Sequence, residues 1–279
     1  MISGLGGSPE ATACFSAFCY NSIDMAQNNS YKRTKNLFEP GDLKPFKLSR
    51  SKIDLFLECP RCFYLDRRLG VSRPPSFPFT LNSAVDTLLK QEFDAYRSHK
   101  KPHPIIEQYS VDAIPVYHKL LDIWRQNFKG VQYLHEPTNL LIFGAIDDLW
   151  QSSRGEYIVV DYKATARNGK VTELKEDYHK SYKRQMEIYQ WLLRRNGLTV
   201  SDTGYFLYCN GQKNRDRFGG KLEFDMTLIP YTGKDDWLDE TIKNLYECLQ
   251  SIKIPEASKT CDYCSYLLAV DSASRNLFV

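Results

Sequence analysis

The chain carries two CxxC pairs, Cys59-Pro60-Arg61-Cys62 and Cys261-Asp262-Tyr263-Cys264, roughly two hundred residues apart. A CxxC spacing lets two thiolates grip one ion, and four thiolates satisfy either a tetrahedral Zn²⁺ or an iron–sulfur cluster. If the pairs share one site, every fold open to this chain must bring its early and late segments together and close a very long loop. The other reading is two separate pairs of packed or redox-active thiols. Eight cysteines would suit disulfides in a secreted protein. No basic-then-apolar signal opens these 279 residues and no apolar run is long enough to span a bilayer, so metal ligation and a cytoplasmic, membrane-free setting are expected. Among the other cysteines, Cys14 and Cys19 read as incidental and Cys209 and Cys248 as packed thiols, with Cys248 the one substitute ligand on offer.

Residues 1–45 are rich in Ser, Asn, Gly and Lys without a sustained period and read as a disordered leader, within which Met25 is a second candidate start. A domain over 46–268 and a tail over 269–279 follow. With 42% hydrophobic and 25% charged residues the composition is that of a globular protein, and a net charge of +3 is too small to identify a polyanionic partner. Ser49 or Ser51 is placed to cap a helix bearing Ile53, Phe56 and Leu57, which Pro60 disturbs. Helical spacing recurs over 81–98 (Leu81, Val85, Leu88, Leu89, Phe93) and over 115–128 (Val116, Leu120, Ile123, Trp124), and both stripes predict core-facing helices. Short apolar runs, TNLLIFGAIDDLW and EYIVVDYKA, then flank the turn SSRG as a hairpin. A helix over 177–195, two strands (GYFLYCN and GKLEFDM) joined by a basic loop, and a last helix with Leu238, Ile242, Leu245 and Leu249 complete the order. This alternation predicts a mixed α/β domain.

In IVVDYKATA, Asp161 and Lys163 lie two positions apart and leave one face of a strand together. Alone, they would be an edge ion pair of little worth. The hairpin adds a third group. If Ser152 pairs with Glu156 around a three-residue loop, Asp147 falls opposite Asp161 on the face of Lys163. A five-residue loop keeps the carboxylates diagonal on one face, and a four-residue loop sends Asp147 to the other. An odd loop is expected, with Gly155 at its left-handed position. Two facing carboxylates repel unless a cation compensates, and Mg²⁺ or Mn²⁺ prefers oxygen ligands. A lysine beside that ion can orient or deprotonate a water and offset charge on a phosphoryl group, which is chemistry for hydrolysing a phosphodiester.

GAID around Asp147, DYK at Asp161, Tyr162 and Lys163, and QMEIY at Gln185 and Tyr189, with CPRCFYL before and CDYC after, resemble the PD-(D/E)XK nuclease superfamily. They are most similar to its RecB-like branch and to CRISPR adaptation nucleases. The resemblance spans about residues 48 to 268 and implies a restriction-endonuclease-like mixed β-sheet core flanked by helices, its N- and C-terminal segments joined by the four cysteines. It also implies a Mg²⁺ or Mn²⁺ held by Asp147, Asp161 and the Tyr162 carbonyl, with Lys163 acting on the water. Gln185 and Tyr189, one helical turn apart, would face the site, or else be a polar residue and a half-buried tyrosine on an amphipathic helix. RecB-like relatives often carry GxxxH on the earlier helix; here NSAVD puts Asn82 for the glycine and Asp86 for the histidine. Asp86 is therefore the expected further metal ligand, with Glu92, in the middle of the apolar stripe, as its rival. Such relatives often hold a 4Fe–4S cluster through one early and three late cysteines. Two and two meet that pattern in part, so the cluster leads at Cys59, Cys62, Cys261 and Cys264, with Zn²⁺ as the alternative.

The expected function is metal-dependent hydrolysis of DNA to 5′-phosphate products in repair, recombination or defence, with a helicase or other repair or defence protein as a candidate partner in trans. The alternatives are a decayed nuclease fold that binds nucleic acid or a helicase, and a redox-sensing cluster protein. Lys213, Arg215, Arg217 and Lys221 on one loop, with Lys180, Lys183 and Arg184 on the QxxxY helix, either follow phosphates or form a solvated face. Tyr205, Phe206 and Tyr208 read as core, and His99, His103, His118, His135 and His179 as packing or surface residues matching no motif.

Overall fold

The computed structural model describes residues 32–75 and 80–276. Most of the expected leader, with Cys14, Cys19 and Met25, lies outside the described residues. Residues 32–45, expected to belong to it, pack on the domain: Phe38 is buried edge-on against Phe46 and Tyr246, and Arg33 pairs with Asp66. Backbone bonds from Arg33 to Gly70 and from Phe38 to Arg67 fasten it further, and one buried ring among polar contacts leaves no period to read.

Strand β1 (Phe46–Ser49) runs into helix α1 (Arg50–Glu58). Ser49 takes the N-cap position, but its hydroxyl meets Ser51 Oγ at 2.9 Å and caps no helix amide. Cys59 is extended, and Pro60 opens α2 (Pro60–Arg68), since proline fits a first helical turn whose N–H needs no partner. Helix α3 (Thr80–Ser98) buries Leu89 and Phe93, whereas Leu81 and Leu88, expected in the core, are 59% and 62% exposed. Its first turns are turned by Asn82, whose amide donates to the Ala164 carbonyl (3.1 Å), and the upper part of the apolar stripe is left in solvent.

The helix expected over 115–128 shrinks to α5 (Leu121–Trp124), preceded by α4 (Pro104–Gln108) and β2 (Ile114–Pro115). Pro115 pairs opposite Trp150 and the Val116 N–H bonds the Leu149 carbonyl, so this stretch starts as an edge strand and runs on without helix into a turn at 119–120. Leu120 and Ile123 are consequently exposed while Leu121 and Trp124 are buried. Strands β3 (Val131–His135) and β4 (Leu140–Gly144) complete a sheet ordered β1-β4-β3. A second sheet, ordered β2-β5-β6-β7-β8, contains β5 (Asp148–Gln151), β6 (Tyr157–Thr165), β7 (Thr203–Gly211) and β8 (Phe224–Thr232). TNLLIFGAIDDLW, expected as one strand, is thus divided between two sheets at residues 145–147. Strands β6 and β7 are parallel, joined through α6 (His179–Arg195), and α7 (Leu238–Gln250) and α8 (Asp262–Asn276) close the chain. The expected tail from 269 is helical to 276.

Alternation along β6 divides two cores. Val159 joins a large core with Ile53, Phe63, Met186 and Leu192, while Ile158, Val160 and Tyr162 pack with Phe93, Trp150 and Leu207. Asp161 and Lys163 share the face of Val159. On the opposite side, fully buried Asp148 accepts from Arg125 (2.7 Å), Trp150 Nε1 (3.1 Å) and the Tyr162 hydroxyl (2.8 Å), and pairs with Arg97. Arg125 Nε also donates to the Asp147 carbonyl (3.1 Å), so the cluster pins the backbone that carries Asp147. Asp148→Ala would leave two guanidinium groups short of their carboxylate. We expect it to lower unfolding free energy by about 3 kcal/mol in urea denaturation; an unchanged midpoint would deny the cluster its structural role.

Candidate active site

Strand β5 pairs with β6 from Asp148 opposite Val160 to Gln151 opposite Tyr157, and the Ser152 N–H bonds the Glu156 carbonyl at 3.0 Å. The loop is therefore three residues, with Gly155 at φ +84°. One step beyond the ladder the same register sets Asp147 opposite Asp161, as the odd-loop reading anticipated. The Tyr162 N–H donates to Asp147 Oδ2 (2.9 Å), fixing that carboxylate at the strand end.

Asp161 is fully buried, its Oδ1 accepting from Gln185 Nε2 (2.8 Å) and its Oδ2 paired with the Lys163 ammonium. Beyond that ion pair, Oδ2 has no hydrogen-bond partner among the described residues. Lys163 Nζ also donates to Gln185 Oε1 (3.3 Å), and Gln185 Nε2 reaches the Tyr189 hydroxyl (3.0 Å). The two α6 residues thus meet the strand pair, one turn apart. From α3, Asp86 Oδ2 lies 2.8 Å from Lys90 Nζ, which is 3.6 Å from Asp147 Oδ1. Glu92 is committed elsewhere, to His103 Nε2 at 2.7 Å. Tyr162 sends its side chain to Asp148 on the far face, leaving only its backbone near the carboxylates. Lys90 escaped the sequence reading; its i+4 spacing from Asp86 was the available signal.

Burial pushes the Asp161 carboxyl up to about 6, with Lys163 opposing and Asp147 adding to the rise. Asp86 is raised by burial and by Asp147. Burial pulls the Lys163 ammonium down, but Asp161 and Asp147 outweigh it and hold it above its ordinary value. Three carboxylates face two ammonium groups, and the Asp161 oxygen has spare acceptor capacity. Carboxylate oxygens are the donors a hard divalent cation takes, although among the described residues only the four cysteines converge as a ready-made ligand group.

Tyr189 comes this close because of the glycine in GAID: a Cβ at Gly144 would stand 2.6 Å from Tyr189 Cε1. A cleft of ≈ 230 Å³ lined by Arg50, Ser51, Gly144 and Tyr189 opens alongside. Gly144→Ala must displace the tyrosine ring. It should lower stability by about 1–3 kcal/mol in a thermal melt, together with the rate of any reaction at this site. Normal stability and rate would separate Tyr189 from the site.

Three of the expected cations are already paired, the first two being Arg184 with Asp54 and Lys180 with Asp177 (2.9 Å). Lys213, Arg215, Arg217 and Lys221 surround a groove of ≈ 580 Å³, where Arg215 pairs with Glu223. His103 and His135 are buried packing residues, and His118 stacks on Trp124.

The four cysteines meet. Cys59 Sγ is 3.8 Å from Cys264 Sγ, and Cys62 Sγ is 3.6 Å and 3.7 Å from those of Cys261 and Cys264. All four sulfurs lie within 4.8 Å of one another, and all four residues are buried. Burial raises the Cys59 thiol, but the amides of Cys62 and Ser258 and the neighbouring thiols outweigh it, leaving it at about 7. Arg73 donates to Cys261 Sγ (3.5 Å). A tetrahedral ion with thiolate arms of about 2.3 Å has sulfur–sulfur edges of about 3.8 Å, so the set fits such an ion. Cys209 and Cys248 stay outside it, burial pushing each thiol up to about 11.

A family model described as the PD-(D/E)XK nuclease superfamily matches residues 47–268. No curated protein matches the chain. Among the described residues, no helix is long and apolar enough to cross a membrane.

Proposed function

We propose that this chain, which belongs to the PD-(D/E)XK nuclease superfamily, is a metal-dependent deoxyribonuclease. The observation that carries the reading is the pairing of Asp147 and Asp161 beside Lys163, with Asp86 joined to Asp147 through Lys90 and an Asp161 oxygen that, among the described residues, only the lysine serves. Asp86, Asp147, Asp161 and the Tyr162 carbonyl would hold Mg²⁺ or Mn²⁺, which when bound polarises a phosphoryl oxygen and acidifies water. The chain's own contribution is orientation. Gln185 bonds Asp161, Lys163 and Tyr189 at once, so the ammonium is held where it can position a water and offset phosphoryl charge. Tyr189, whose hydroxyl burial raises further above neutrality, is a donor at neutral pH.

A second reading has its own observation. Lys90 already bridges Asp86 and Asp147, supplying charge where a metal would, as a decayed module binding nucleic acid would tolerate. The two readings part on one experiment: incubation of end-labelled single- and double-stranded DNA with Mg²⁺ or Mn²⁺ against EDTA. Metal-dependent cutting supports the nuclease. Binding without cutting moves the assignment to the binding module.

At the cysteines we favour one Zn²⁺ over the 4Fe–4S cluster. What supports zinc is the sulfur spacing of 3.6–3.8 Å across the measured pairs, since a cluster's irons stand between its thiolates and hold them wider apart.

A further inference from the structure

Beyond Lys163, on the same face of the sheet, lies a group of aromatic and polar side chains that the hydrolytic groups do not use. The parallel register pairs Lys163 with Tyr208, and Lys163 Nζ sits 4.4 Å from the Tyr182 ring centroid. His179, at the start of α6, is 1% exposed, and its Nδ1 accepts the Glu176 N–H at 3.1 Å. That bond places the ring proton of neutral His179 on Nε2. Nε2 is buried without a hydrogen-bond partner among the described residues, and so is the hydroxyl of Tyr208, itself 3% exposed. The two rings meet edge to face at 6.3 Å, yet the two donors do not bond each other.

Two neighbouring unpaired donors are costly in a folded protein, and such groups ask for an acceptor that arrives from outside. Their surroundings say what kind. Tyr178, 45% exposed, lies 4.2 Å from the His179 ring and 5.8 Å from that of Tyr182. Arg167 donates to the Tyr178 hydroxyl, holds its guanidinium 5.6 Å from the ring and pairs loosely with Glu176 (3.4 Å), an exposed contact that a phosphate would replace. An exposed aromatic face, a cation and two neutral donors together suit a base, a phosphate charge and a phosphate or sugar oxygen.

We propose that Tyr178, His179, Tyr182 and Tyr208, with Arg167, form a subsite for one unpaired nucleotide flanking the scissile phosphate. Its base stacks on Tyr178, and one sugar–phosphate oxygen accepts from His179 Nε2 and Tyr208 Oη as Tyr178 and Tyr182 part to admit it. The subsite rests on the nuclease reading above and sharpens it. A base inside a duplex cannot stack on a side chain, so the substrate class is a single-stranded or frayed DNA end.

The test is Tyr208→Phe, which removes one hydroxyl and keeps the ring, beside Tyr178→Ala, in the full chain with Ca²⁺ in place of Mg²⁺. Binding of a labelled single-stranded oligonucleotide is read by anisotropy, and the melting temperature of the free protein is read in parallel. Loss of an unpaired buried hydroxyl should raise the melting temperature of Tyr208→Phe while its affinity falls about tenfold, two changes that a purely structural residue would not combine. Tyr178→Ala should lose about tenfold for the single strand and little for a blunt duplex. Undiminished binding by both variants, with a parent that binds and cuts, would overturn the subsite alone. A parent that neither binds nor cuts any strand would overturn the nuclease reading and the subsite with it.

Discussion

Lys163→Ala should slow DNA cleavage by about a thousandfold while the protein still folds and binds DNA within a few-fold of the parent. On the proposed mechanism the rate falls because the ammonium that Gln185 holds beside Asp161 no longer positions the water or meets developing phosphoryl charge. Folding should survive for an electrostatic reason. Stranding a buried carboxylate ordinarily costs about 3–5 kcal/mol. Asp161 escapes most of that cost, because burial has already pushed its carboxyl up to about 6 and loss of the opposing lysine raises it further. The acid then takes a proton, and Gln185 remains bonded to Oδ1. The folded carboxyl holds its proton more tightly than the unfolded one, whose value is about 3.9. The stability of the variant should therefore decline as pH rises from about 4 through the folded value, and level off above it. Single-turnover cleavage and melts at several pH values read both effects. Cleavage comparable to the parent's would remove Lys163 from the chemistry.

Replacing Cys59 and Cys264 together by serine should cost about 5 kcal/mol, a drop of roughly 10–20 °C in melting temperature for a domain of this size. These thiols tie the junction of α1 and α2 to the first turn of α8. Helix α8 has little else to hold it, since Tyr266, Leu267 and Leu268 are all more than half exposed. Metal analysis of the parent belongs with the melt. One zinc per chain and a colourless protein would match the sulfur spacing, whereas a brown, iron-bearing protein would restore the cluster. A double variant as stable as the parent would leave no clasp at all.

What the sequence disclosed and what it hid follow one physical division. The parity of β6, the odd turn at Gly155 and the thiolate pairs are governed by short-range geometry, so Asp147, Asp161 and Lys163 were legible together. Amphipathic spacing on α3 showed that a stripe exists, not how far the sheet extends to cover it, and Leu81 and Leu88 fell beyond its reach. The stretch 115–120 carried helical spacing, but pairing of Pro115 and Val116 with β5 overrode it. Glu92 competed with Asp86 on paper because its partner His103 is brought to it only by the fold. The cluster of Arg97, Arg125 and Asp148 was illegible for the same reason: charged groups meeting from distant segments follow no period.

The doubled aspartate gives the hairpin a particular folding problem. Were β5 to slide by one residue and tighten the turn to Arg154 and Gly155 alone, Asp148 would stand opposite Asp161 in place of Asp147. The site would still see an aspartate, though Arg154 would take the first place of a two-residue turn, where a positive φ favours asparagine, aspartate or glycine. What rejects the slipped pairing is the place of Asp148 on the opposite face, where Trp150 and Tyr162 of the hairpin itself and Arg97 and Arg125 from outside it all meet its carboxylate. Local bonds and distant guanidinium groups thus select the same register, and φ-value measurements at Arg97 and Val159 would show which of them acts before the folding barrier.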